Sequence, residues 1–85
     1  MTDEDALADV VWAFAQTTLP DQFPDNERSG EAPVDIALAL GGAADHGITI
    51  PDSIVASVTK CFATRDDFDA QQVMAQLANA VRVTA

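Results

Sequence analysis

The chain has 85 residues, 48% of them hydrophobic, enough for one modest core and too apolar for a disordered chain. Its net charge is −10 at pH 7, and a field of that sign repels phosphate backbones and anionic membranes, which argues against direct nucleic-acid binding. A single cysteine, Cys61, precludes an intramolecular disulfide framework, and no Cys/His cluster offers a zinc site.

The charge is unevenly spread. Residues 1–52 hold eleven Asp/Glu against Arg28 alone, whereas in 53–85 Asp66, Asp67 and Asp69 balance Lys60, Arg65 and Arg82. The start, MTDEDALADVV, carries acids where a secretory signal would carry Lys or Arg. No apolar run approaches the roughly 18–20 residues that span a bilayer. These features lead us to expect a cytoplasmic protein.

The hydrophobic pattern predicts an all-α, compact four-helix domain over 1–85, with a long acidic loop between the first two helices. The first helix, about 3–18, opens on a Thr2-x-x-Asp5 capping box. Leu7, Val10, Val11, Phe14 and Thr18 share its expected buried face. Trp12 falls about 140° from Leu7, among Asp5, Ala8 and Gln16. It reads either as an exposed anchor for a partner, or as a core residue covered by the loop or buried on a second side.

Residues 20–32, PDQFPDNERSGEA, form a polar loop that Phe23 should pin to the core. The second helix, about 33–46, starts at Pro33 and is apolar nearly all round, which predicts the deepest burial of the four. One face carries Val34, Ala37, Leu38 and Gly41, and another Ile36, Leu40 and Ala43. The Gly41-Gly42 pair suggests close approach of another helix, and His46-Gly47 a helix end. The third helix, about 51–63, buries Ile54, Val55, Val58, Cys61 and Phe62. The fourth, about 69–82, has Asp69 as expected N-cap, Gln72 completing a box and Phe68 stapling onto Val73. Val73, Met74, Leu77 and Val81 are its expected core.

Catalytic signals are weak. A Cys61–His46 dyad would require an exposed thiol, yet Cys61 lies on an apolar stripe. Asp25-x-Glu27-x-Ser29-Gly30 copies half an EF-hand loop, but Ile36 stands where a bidentate Glu is needed. Phosphate loops, metalloprotease motifs and nucleophile elbows are lacking. The expectation is a non-enzyme with no catalytic residue, cofactor or metal.

Asp52-Ser53-Ile54 resembles the Asp-Ser-Leu/Ile motif of acyl and peptidyl carrier proteins, small acidic helical bundles with a prosthetic arm on that serine. The resemblance implies Ser53 as attachment site, although a carrier would place it after one helix and a long loop. A second register aligns GEAPVDIALALGGAADHGITIPD with a carrier's second helix and the IPD opening the next, and then Pro33 takes the serine's place.

The functional expectation is therefore a regulator, inhibitor or accessory subunit that binds a basic protein surface. Its expected contact residues are Asp5, Asp9, Trp12, Gln16, Asp21, Asp25, Glu27 and Glu31. Acids would steer the encounter and Trp12 would anchor it; mimicry of nucleic acid is a sharper form of the same idea. The carrier-like domain is one alternative, and a homodimer formed through helix two is another.

Overall fold

The computed structural model describes residues 3–84, which form four helices: α1 (Asp3–Thr18), α2 (Ala32–Asp45), α3 (Asp52–Phe62) and α4 (Phe68–Thr84). One 3-10 turn, Asp25–Glu27, interrupts the α1–α2 connection, and no strand occurs among the described residues. The helix bounds lie within two residues of those expected. Of the expected capping box on α1, Thr2 lies outside the described residues.

Local chemistry sets the helix ends. At the end of α1 the Thr17 and Thr18 hydroxyls donate to the Ala13 and Phe14 carbonyls, and Pro20 follows. The end of α2 is a Schellman motif. Ile48 N–H donates to the Ala43 carbonyl (2.9 Å) and Gly47 N–H to that of Ala44 (3.3 Å). Gly47 adopts φ +65, the left-handed conformation this motif requires. α3 begins on the Pro51 carbonyl, which accepts from Ile54 and Val55.

At α4 the cap differs from expectation. Asp67, not Asp69, receives the Ala70 N–H (3.3 Å), and its carboxylate is held by Arg65. Phe68 thereby becomes the first helical residue and is 72% exposed, which leaves it off the core rather than stapled over Val73.

Around the bundle the helices neighbour one another in the order α1, α2, α4, α3, and α3 closes back on α1. The sequential pair α2 and α3 are thus not packed together. The radius of gyration, 11.5 Å, matches the ~12 Å expected for a compact chain of this length. Seven of the nineteen buried apolar side chains described are alanines. Such small residues let helix backbones approach closely, and Trp12, Phe23 and Phe62 fill the wider spaces between them.

The buried stripe of α1 is Leu7, Ala8, Val11, Trp12 and Ala15. This is rotated about 70° from the expected face, at about 100° per residue. Val10 is 54% exposed and Phe14 only partly buried. Large side chains dominated the expectation, whereas Ala8 and Ala15 dictate which face can come close to a neighbour. The same substitution occurs in α4, where Ala70, Val73, Leu77 and Ala80 are buried and Val81 is exposed. In α3 the expected stripe holds, with Ile54, Val58 and Phe62 buried and Val55 and Cys61 packed against them.

Candidate protein-interaction surface

Trp12 sits in the core, not on the surface. It is 3% exposed, with the Phe23 ring edge-on at a centroid distance of 5.1 Å and the Arg28 guanidinium 5.8 Å from its centre. The 19–31 connection folds over it. An anchor must be reachable by a partner, so burial removes Trp12 from the anchoring role expected for it. Its indole Nε1 is buried without a hydrogen-bond partner, so the ring is held by packing and by the Arg28 guanidinium above it, not by a hydrogen bond.

The remaining contact candidates divide by what they already do. Gln16 donates to Asp25 at 2.7 Å, and Asp9 pairs with Arg28, so the loop is tied to the exposed side of α1 at two points. Asp5, one turn before Asp9, is exposed and also engaged in an interaction of its own. The Asp21, Glu27 and Glu31 residues are exposed, and among the described residues their carboxylates make no ion pair. Three carboxylates are therefore displayed rather than used internally.

The group that organises this loop, Asp35, escaped the sequence reading. It is fully buried in the first turn of α2 and accepts from Ser29 N–H (2.9 Å), Ser29 Oγ (3.0 Å) and Arg28 Nε (3.2 Å). Burial by itself raises its pKa, but the two Ser29 bonds and then Arg28 outweigh it, and the carboxyl titrates below its ordinary 3.8. Arg28 bridges Asp9 and Asp35, and the Asp9 bond is the main reason its own pKa is raised. An available signal was the position of Asp35, one of the few polar residues in an otherwise apolar helix, with Arg28 and Ser29 shortly before it.

The loop is fastened at its near end too. His46 Nδ1 lies 3.0 Å from the Gly42 carbonyl, and its Nε2 lies 2.9 Å from Gln22 Nε2. Because a carbonyl only accepts, Nδ1 is the donor to Gly42, which leaves Nε2 to receive the Gln22 amide N–H. His46 is thus a link between α2 and the loop. Cys61 is half-buried on α3, and burial first, then the negative charge of Glu4, pushes its thiol pKa upward, away from a reactive thiolate. Ser53 is exposed in the first turn of α3, after two helices rather than one. Pro33 stands in the first turn of α2.

Gly42 explains half of the glycine pair through the loop rather than through a helix. A Cβ there would lie 2.4 Å from the Phe23 ring, whereas one on Gly41 would meet Gln76 of α4 at 3.1 Å. α2 is also not uniformly buried. Its Ile36, Leu40 and Ala43 face is in the core, but the face carrying Val34, Ala37 and Leu38 lines an open groove against α4, and Leu38 is 51% exposed. Phe68 contributes to the same groove.

Among the described residues no group of His, Cys, Asp and Glu has the arrangement to hold a metal ion, and no helix is long and apolar enough to cross a membrane. Comparison of the chain with protein-family models, with curated proteins and with solved structures finds no match.

Proposed function

We propose that this chain is a non-enzymatic interaction module that presents a fixed acidic surface to a basic protein partner. The observation that supports this reading is the fastening of the acidic loop. Gln16–Asp25, Arg28–Asp9 and Arg28–Asp35 hold it against α1 and the start of α2. Asp21, Glu27 and Glu31 are thereby displayed from a prearranged backbone, and the one cation of residues 1–52, Arg28, is consumed internally. A preorganised array of one sign steers a complementary partner and loses less entropy on binding. Regulator, inhibitor and accessory-subunit roles all use this chemistry.

The test is affinity capture from the native host at low salt, with stepwise salt elution. The triple variant Asp21→Asn/Glu27→Gln/Glu31→Gln is run alongside, since these side chains hold no part of the loop. A basic protein released by salt and lost with the variant is the expected result. Capture indifferent to both salt and the substitutions overturns the reading.

The carrier-like reading keeps one observation in its favour, the exposure of Ser53 at a helix start. Two helices precede that serine, and the alternative register offers Pro33, which has no hydroxyl. Co-expression with a phosphopantetheinyl transferase followed by intact mass decides it: no added arm rules it out.

A further inference from the structure

With Trp12 buried, an acidic module still needs an apolar contact to hold a partner once charges have steered it, and the α2–α4 groove supplies one. Four large apolar side chains are exposed among the described residues, Val10, Leu38, Phe68 and Val81. Leu38 and Phe68 line the same groove, together with Val34 and Ala37. Phe23, packed over Gly42, and Gln76, packed over Gly41, line it as well. From Val34 to Asp45 the α2 wall runs three turns, about 16 Å along the helix axis.

The charged residues lining this groove are Asp45 and Asp69, and no Lys or Arg lines it. The cations are placed elsewhere. Arg28 is bound to Asp9 and Asp35, Arg65 to Glu4 and Asp67, Arg82 to Asn79, and Lys60 lines the separate groove between α1 and α3.

We propose that the α2–α4 groove docks a basic amphipathic helix, whose apolar side covers Leu38 and Phe68 and whose Lys or Arg residues meet Asp45 and Asp69. The proposal rests on the acidic-module reading and adds the anchoring site and the partner's form. A groove between two packed helices accepts a third helix through its i, i+3, i+4 ridge, and three turns match the span available. Charge selects a basic partner over a second copy. A twofold interface sets the same patch on both subunits, which brings Asp45 and Asp69 of each, and two chains of −10, against each other.

The probe is a synthetic fourteen-residue Leu/Lys amphipathic helix, titrated into the isotope-labelled full chain and followed by amide chemical shifts. The expected shifts concentrate on α2 and the first half of α4. Leu38→Ser and Phe68→Ser each weaken binding at least about tenfold, with melting temperature retained, and a Leu/Glu peptide of the same pattern does not bind. Shifts confined to α1 and the loop, with affinity unchanged in both variants, overturn the groove and leave the acidic surface standing. Absence of binding also overturns the groove, whereas the acidic-module reading is overturned by capture indifferent to both salt and the Asp21, Glu27 and Glu31 substitutions. Light scattering covers the other occupant: a dimer that Phe68→Ser converts to monomer assigns the groove to a second copy.

Discussion

The α1–α2 connection and the α2–α4 groove share one side chain, Phe23, yet they are built in opposite ways. The connection is polar in sequence and closed in structure. Its Phe23 ring meets Trp12, its Ser29 and Arg28 surround Asp35, and its Gln22 reaches His46. The groove is apolar in sequence and open in structure, with Leu38 and Phe68 left in solvent. Hydropathy alone would have assigned them the other way round. A buried carboxylate with three donors orders a loop as firmly as an apolar side chain does, because leaving it unpaired would be so costly. An apolar helix face is buried only when the bundle has a neighbour to put there.

Substitutions on the two sides should therefore behave differently, and the largest effect is expected under the loop. Trp12→Ala should destabilise the fold by about 3–5 kcal/mol in urea unfolding, because it empties the space beneath Phe23 and Arg28. Trp12→Phe should cost much less, since the indole Nε1 has no partner to lose. A small effect of Trp12→Ala would mean that the loop does not depend on the ring it covers.

Asp35→Asn follows, with an expected loss of about 2–4 kcal/mol through the Arg28 and Ser29 donors it leaves mismatched. The same residue gives a pH signature. Its folded pKa lies below the ordinary 3.8, so its contribution is complete above that value. On acidification the unfolded chain takes up the proton first, and the contribution is lost as pH falls through the folded pKa. Thermal melts from pH 7 to pH 3 should thus show the gap between wild type and Asp35→Asn narrowing only below about pH 4. A constant gap would remove the charged carboxylate from the account. Taking the difference between the two proteins cancels the general relief of acidic repulsion.

Gly42→Ala tests the point where the two regions meet. The new methyl would fall within 2.4 Å of the Phe23 ring, which Trp12 restricts, and overpacking of this kind costs about 1–3 kcal/mol. The smallest effects are expected in the groove. Leu38→Ser and Phe68→Ser should each change stability by no more than about 0.5 kcal/mol, as for exposed positions elsewhere. A larger loss at either would show that the groove contributes to the fold and is not an open surface.

Individual residues show how far the sequence could be read. The four helices, the end of α2 at Gly47, the pinning role of Phe23 and the apolar stripe of α3 follow from periodicity and turn chemistry, which act over a few residues. The face of α1 did not follow, because alanines carry little weight in a hydrophobic pattern yet decide where backbones can approach. The cap of α4 did not follow either: Asp69 has the capping chemistry, but Asp67 has it too, and Arg65 holds Asp67 in place to receive the Ala70 N–H. Of the candidate contact residues, Asp21, Glu27 and Glu31 remain displayed, while Trp12 is buried and Asp9, Gln16 and Asp25 are tied within the chain.

The helical class, the approximate helix ends and the concentration of acids in residues 1–52 are all written in the chain. These depend on local propensity, on hydrogen bonds across one or two turns, and on charge that no packing can change. The cover over Trp12, the burial of Asp35 at the centre of the loop and the open groove shared by Leu38 and Phe68 arise from the packing of the bundle. Each of these depends on which helix lies beside which, and that follows from the shape of the whole bundle.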